Sequence, residues 1–366
     1  TLRSRGLGDV YKRQATAAQA DNQWSKSLSL TYGGFSNLDS DGFMMTTGEG
    51  RAPLPSMQQD TNHRRHPIYD FTSKIDENGE VSWLKSFEQS SYYQGMDIVE
   101  SGGIYYLAVS SHHNLDSQLL LISKDGVEID RVTSENVEYR SLESDGADGV
   151  IITGQYPSEG NGFVAHYSAS GEMQTCTIEV GEGVSLNSSA YKDGIAISVG
   201  YSDSRGVIYA TSFSAGECYS ELVYEEPAAS NGFTDIIISQ SQLYVAHDSF
   251  VTKLDEDYNM IWSINYEGNI INGLSQGSQN NILAAGMKNG DTWLLTFDTD
   301  GVIGIDETYA YDEFDDYANS VLERPSGDGY MLTGKFSDNS FFLSVDENGY
   351  IEDLTPEDIT PTGVSR

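Results

Sequence analysis

Cysteine and cationic side chains are both scarce in this chain. Its 366 residues hold two cysteines, Cys176 and Cys218, too few for a disulfide scaffold or a cysteine-based zinc site. Twenty Lys and Arg stand against 56 Asp and Glu, a formal net charge of −36. That balance argues against nucleic acid, whose phosphates would be repelled, and against an anionic membrane surface. No apolar run approaches the roughly 20 residues that a membrane-spanning helix needs. No segment carries a helical hydrophobic period. Glycine-rich phosphate loops, G-x-S-x-G elbows and H-E-x-x-H helices are all missing.

What is present is glycine, tyrosine and repetition. A unit of about 45 residues recurs. A short apolar strand runs into a tight turn rich in Gly and Asp, and a second strand follows, usually ending in Gly. After a loop comes a third apolar strand, a turn with Asp and Gly, and a fourth strand. The last turn marks each unit best: KIDENG ending at Gly79, ISKDG at Gly126, YSASG at Gly171, FSAG at Gly216, KLDEDY at Tyr258, TFDTDG at Gly301 and VDENG at Gly349. The first turn marks the same seven units, at Asp41-Gly42, Gly102-Gly103, Asp148-Gly149, Asp193-Gly194, Ser239–Ser241, Gln279–Asn281 and Asp328-Gly329. Glycine in such turns supplies the positive φ of a tight hairpin. Four-stranded units that cannot bury both faces alone must stack, and repeats of this length close into a ring. The expected fold is all-β: a seven-bladed β-propeller of four-stranded antiparallel blades over residues 21–354, with 355–366 as a C-terminal tail.

Trp24 in QWSKSL matches Trp83 in SWLKSF and Trp262 in MIWSIN, both just past a last turn. It marks a fourth strand with no blade before it. Two segments compete to complete blade 7, Trp24–Tyr32 and Tyr350–Leu354. The N-terminal one is favoured because it is longer and alternates better, leaving the C-terminal segment outside.

The pattern D-G-x-x-x-x-x-G followed by hydrophobic-D-x-x-G-x-x-x-W, carried best by Asp76, Gly79 and Trp83, resembles the repeats of bacterial secreted β-propellers. It is similar to the quinoprotein-like (PQQ-like) repeat family, which includes the periplasmic propeller of the outer-membrane assembly machinery. The resemblance covers Trp24 to about Leu354 and implies the fold more than a function. Asn78 and Asn348 stand where the family usually has Thr before the glycine, so no cofactor is expected. The Asp boxes of sialidase-type propellers, S-x-D-x-G-x-T-W, are not matched: Asp76-Glu-Asn-Gly79-Glu-Val-Ser-Trp83 has one residue too many on each side of the glycine.

The ends carry their own signals. Ser4–Gln14 reads SRGLGDVYKRQ, a string that looks like translated sequencing-adapter DNA, so residues 1–14 are set aside from fold reasoning. Ala15–Ala20 (ATAAQA) fits the small-x-small pattern of a signal-peptide remnant, and a secreted or periplasmic location is expected. Cys218 lies two residues past its turn and Cys176 five past its own. Counted along the strands they sit at different heights and are expected to stay unbonded.

Loops between second and third strands share one face with the connections between blades, and any ligand is expected there. Five of the six histidines fall in or at the start of such loops: His63 and His66, His112 and His113, and His247. A basic insertion in blade 1, about Gly50 to Tyr69, adds Arg64 and Arg65. Tyr92, Tyr93 and Tyr139 lie between early blades. Asp312, Asp315 and Asp316 lie in YAYDEFDDY before blade 7. These twelve residues, His247 left aside, are the candidate mouth. No spacing of a known metal site is present, so none is assigned. A non-enzymatic binding or protein-interaction module, monomeric, with a protein or carbohydrate ligand is the first expectation. A glycan-active or other small-molecule enzyme at the same mouth is the second. Paired carboxylates with perturbed pKa values would favour the enzyme, an open solvated mouth the binder.

Overall fold

The computed structural model describes residues 23–28, 31–50, 69–87, 93–111, 116–179, 183–214, 216–226, 229, 231–310, 315–336, 339–352, 354 and 357–358. They form seven antiparallel sheets in chain order. Blade 1 is built from Thr31–Leu38, Met44–Gly50, Tyr69–Ile75 and Val81–Lys85. The inner strands of blades 2 to 7 begin at Tyr93, Glu138, Val184, Asp235, Ile270 and Tyr317. Among the described residues the only helical turn is a short 3-10 segment, Ser278–Asn280.

Closure follows the expected route. Trp24–Leu28 pairs antiparallel with Asn339–Asp346 as the fourth strand of blade 7, in the register Trp24↔Ser344 to Leu28↔Ser340. The strand stops at Leu28, and Thr31 already begins the inner strand of blade 1. Glu357–Asp358 adds outside it, parallel to Lys26 and Ser27.

Each blade buries both faces against its neighbours, and the buried apolar side chains fall into seven clusters, one per interface. Tyr106, Leu119, Leu142 and Phe163 fill the gap between blades 2 and 3; Leu294, Val321 and Phe341 fill that between 6 and 7. Met44, Phe71, Met331 and Phe342 seal the closing interface. At roughly 25 cal/mol per Å² of apolar surface removed from water, these clusters are the main stabilising term.

Four of the last turns are aspartate turns, and those of blades 2 and 3 use Ser123 and Ser168 in the same place. Asp76 Oδ1 accepts from the N–H groups of Asn78 and Glu80. Asp255, Asp298 and Asp346 do the same in their blades. Such side-chain acceptors stabilise a turn without a helix or ladder. At Tyr258, where glycine is replaced, φ remains left-handed at 62°.

The expectation of free thiols is corrected: Cys176 and Cys218 form a disulfide, with Cα atoms 5.7 Å apart. Counting from the turns assumed that both strands run along the ring axis. Neighbouring strands rotate by about 20–25° each, so the fourth strand is turned well away from the first. Position along it then runs partly around the rim, and unequal counts meet. The Gln174 side chain donating to the Ser214 carbonyl and Cys218 Sγ facing the Thr175 carbonyl show the same offset.

Candidate functional site

The seven inner strands surround a central channel, and a cavity of about 160 Å³ lies within it. It is lined by the first half of these strands, on the side where the connections between blades enter. That face is held by hydrogen bonds from the connections to second-to-third-strand hairpins: Phe233 N donates to Gly200 O, Ile271 N to Asp248 O and Asp316 N to Gly290 O.

Six inner strands carry a β-bulge at one level, at Gly33-Gly34, Met96, Arg140, Asn187, Asn272 and Asn319. Thr234 takes the matching place in blade 5. The extra residue turns its side chain toward the next blade. Asn187 Nδ2 donates to the Phe233 carbonyl, Thr234 Oγ1 to that of Ile271 and Asn272 Nδ2 to that of Ala318. Second-strand glycines make room for the bulge. A Cβ at Gly154, Gly200, Gly286 or Gly334 would lie 1.9–2.0 Å from an inner-strand carbonyl oxygen. Blade 5, unbulged, pairs Asp235 with Ala246 and has His247 at the position of these glycines.

Three carboxylates from three blades line this cavity: Asp97, Glu143 and Asp235. Two are tied down. Asp97 accepts from the N–H groups of Ile98 and of Leu142 in the next blade. Asp235 accepts from Ile236 N, from Leu274 N in the next blade and from Ser188 Oγ. Glu143 accepts no hydrogen bond from any described residue. The partial exposure of all three is to the narrow channel, and burial dominates their ionisation. It pushes Asp97 up to about 7, against the lowering effect of the two N–H donors and with help from the Asp235 charge. Burial, then the charges of Asp97 and Asp235, push Glu143 up to about 8. Asp235 is raised to about 6, its hydrogen bonds opposing the burial.

Two further polar groups at the cavity lack partners. Ser189 is 4% exposed and its Oγ is unbonded. Arg140 gives Nη1 to Asn187 and pairs through Nη2 with Glu138 at 3.2 Å, while its buried Nε is unbonded.

Of the twelve residues expected at the mouth, four are described. His63, Arg64, Arg65, His66, Tyr92, His112, His113 and Asp312 lie outside the described residues. Tyr93 is 7% exposed and packs with Met45, Ile98 and Tyr105. Tyr139 is 1% exposed, donates or accepts at Ser134 Oγ and meets Phe163 edge-on. Both tyrosines are therefore core residues, because alternate side chains of an inner strand point into the gap between blades. Asp316 is fully buried in the connection between blades 6 and 7, and Asp315 lies beside Gly290. His247 ends the second strand of blade 5, buried between Phe233 and Phe250. Sequence reasoning did not find the channel carboxylates. The signal available was faint, an Asn followed by a small residue recurring at one level as Asn187-Ser188, Asn272-Gly273 and Asn319-Ser320.

Together these features define a seven-bladed β-propeller with an acidic central cavity. No family model matches the chain, and no curated protein matches it. Among solved structures it is similar to a protein of unknown function from Bacteroides caccae, 11% identical, with a TM-score of 0.47 over 65% of this chain and 90% of that one.

Proposed function

We propose that the protein is a non-enzymatic binding module whose small polar ligand enters the central channel. The observation that carries this reading is Glu143, a carboxyl facing a polar cavity without a partner while its neighbours Asp97 and Asp235 are satisfied by the fold. Isolated polar groups kept in such a place cost stability, which a ligand's hydrogen bonds would recover. The test fills the channel. Asn37 lines the cavity, and Asn37→Phe should abolish stabilisation by any small polar compound that raises the melting temperature of the parent protein. Undiminished stabilisation in the filled variant would place the ligand elsewhere and sink the reading.

A site in the cell envelope or exterior is supported by the Cys176–Cys218 disulfide, which persists in oxidising compartments, and by the small-x-small stub at Ala18–Ala20. Fractionation of producing cells tests it, and a cytoplasmic pool of mature protein would contradict it.

The enzymatic reading rests on the same Glu143. A carboxyl raised to about 8 is largely protonated at neutral pH and suits a general acid. Glycoside hydrolysis needs a second carboxylate free to act, and Asp97 and Asp235 are both held by backbone N–H groups. Binding is therefore preferred. Turnover of aryl glycosides that is lost in Glu143→Gln would reverse that preference.

A further inference from the structure

The chemistry of the cavity lining narrows the ligand class, on the assumption that the channel is a binding site. Of its charged lining residues three are acidic and one, Arg140, is basic and already paired with Glu138. Asp97 and Asp235 are positioned by main-chain donors from the following blades, so their locations are part of the ring itself. Glu143 joins them from blade 3 with all its acceptor capacity unused. Ser189 belongs to the same lining, but its hydroxyl is closed off from the channel, which leaves Glu143 as the open acceptor. Unused acceptors of this kind call for a donor.

A single metal ion does not fit, since among the described residues no three acidic, His or Cys side chains are placed to hold one. A polyatomic cation fits better. Its N–H groups reach acceptors several ångströms apart, and a short alkyl body occupies the rest of a cavity with room for several waters. We propose that the channel takes a small organic cation, a primary ammonium of diamine size, bound through Glu143 within the field of Asp97 and Asp235.

The charge state of the empty site gives the proposal a second signature. Carboxyls pushed up by burial and by one another carry protons near neutral pH. An ammonium group between them favours their ionised forms, so binding releases protons. Affinity then rises with pH, by about tenfold per unit for each proton released, until the carboxyls are ionised in the free protein.

The experiment is calorimetric titration of the whole chain with 1,4-diaminobutane, with 1,4-butanediol and succinate as neutral and anionic counterparts of similar length. The diamine should bind at least about tenfold more tightly than either, with proton release detected as a dependence of the heat on the buffer's ionisation enthalpy. Glu143→Gln mimics the protonated acid and should keep the fold while weakening the diamine by a similar factor and removing most of the pH dependence. A diol or succinate that binds as well as the diamine, a diamine that does not bind, or a Glu143→Gln variant with unchanged affinity would each overturn the cation assignment. Failure of the underlying channel reading is separate: it is seen when a counterpart that does bind is insensitive to Asn37→Phe.

Discussion

The indole N–H of Trp83 donates to the main-chain carbonyl of Lys124, 3.2 Å away in the last turn of the next blade. Trp262 repeats this on Thr299 at 3.4 Å. A lysine lies over each indole: Lys253, on the third strand, sits over Trp262 and bonds to the Thr299 carbonyl, and Lys85, on the fourth, sits over Trp83, while the third-strand Lys74 turns to Asp39 at 2.9 Å. The tryptophan that marks the repeat in sequence is thus a tie between consecutive blades. Replacing Trp83 or Trp262 by Phe keeps most of the apolar area and removes the donor. Each should cost about 1 kcal/mol, and the two should add, because they sit at separate interfaces. Urea unfolding of the singles and the double checks this, and a clearly non-additive double would contradict it.

How far the sequence could be read depends on distance along the chain. Turn glycines, turn aspartates and the orphan Trp24 strand are local signals, and they led to seven blades and to the closing strand. Asp97, Glu143 and Asp235 come from blades 2, 3 and 5 and meet only across the ring, so no local pattern announces them. Tyr139 was read as part of the connection between blades 2 and 3, but it lies in the inner strand Glu138–Ser144 and is buried there, a strand start that no residue pattern marks. The disulfide was missed because strand twist, invisible to residue counting, sets which positions on neighbouring rims coincide.

The channel carboxyls predict an acid-leaning stability profile. Asp97, Glu143 and Asp235 are raised to about 7, 8 and 6, against roughly 4 for unfolded carboxyls. The folded state binds more protons than the unfolded between those values, so stability falls as pH rises from about 4 to about 8. Lower down the sign reverses. Burial also raises Asp39, but hydrogen bonds from Tyr105 and Phe43 and the Lys74 charge outweigh it and leave it lowered, so it acts below about pH 4; burial lowers His247, which opposes the carboxyl trend already from about pH 6.5 downward. Each loses its contribution as pH falls. The melting temperature should therefore peak in the mildly acidic range and drop toward pH 8.5. Glu143→Gln should flatten the alkaline limb, and an unchanged limb in that variant would refute the assignment.

Reduction should weaken the interface between blades 3 and 4. The Cys176–Cys218 crosslink closes a loop of 42 residues, for which chain entropy gives an upper bound of about 4 kcal/mol. A Cys176→Ser/Cys218→Ser double variant should melt at the temperature of the reduced parent. Free-thiol titration of the unfolded, unreduced parent should find no reactive thiol, and two reactive thiols would show that the bond is not formed.

The two ends should differ in what they contribute. Trp24–Leu28 pairs with Ser340–Ser344, five of the eight residues of the third strand of blade 7, whereas Glu357–Asp358 adds two pairs outside it. A chain starting at Ser29 loses the ladder and exposes the edge of Asn339–Asp346, inviting aggregation. A chain ending at Leu354 keeps the ring closed. Chemical denaturation should show a large loss for the first and a small one for the second, and equal losses would contradict closure by the N-terminal strand.

Two glycines separate crowding from backbone conformation. Gly286 has ordinary backbone angles, but a Cβ there would lie 2.0 Å from the Ile270 carbonyl oxygen at the bulge of blade 6. That carbonyl belongs to the inner strand, and moving it would shift the Asn272 tie to blade 7. Gly103 is the opposite case. Its φ is +78°, yet nothing lies within 4 Å of the added atom. Gly103→Ala should therefore cost only the left-handed penalty, about 1–2 kcal/mol. Gly286→Ala should exceed about 3 kcal/mol, since overpacking against backbone cannot relax by a rotamer change. It should also perturb the channel, whereas Gly103→Ala in a solvated turn should not. Urea midpoints for the two variants, read with tryptophan fluorescence, decide the order. A Gly286→Ala protein as stable as Gly103→Ala would mean that the bulge yields easily, and the rigid cavity built on it would have to be abandoned.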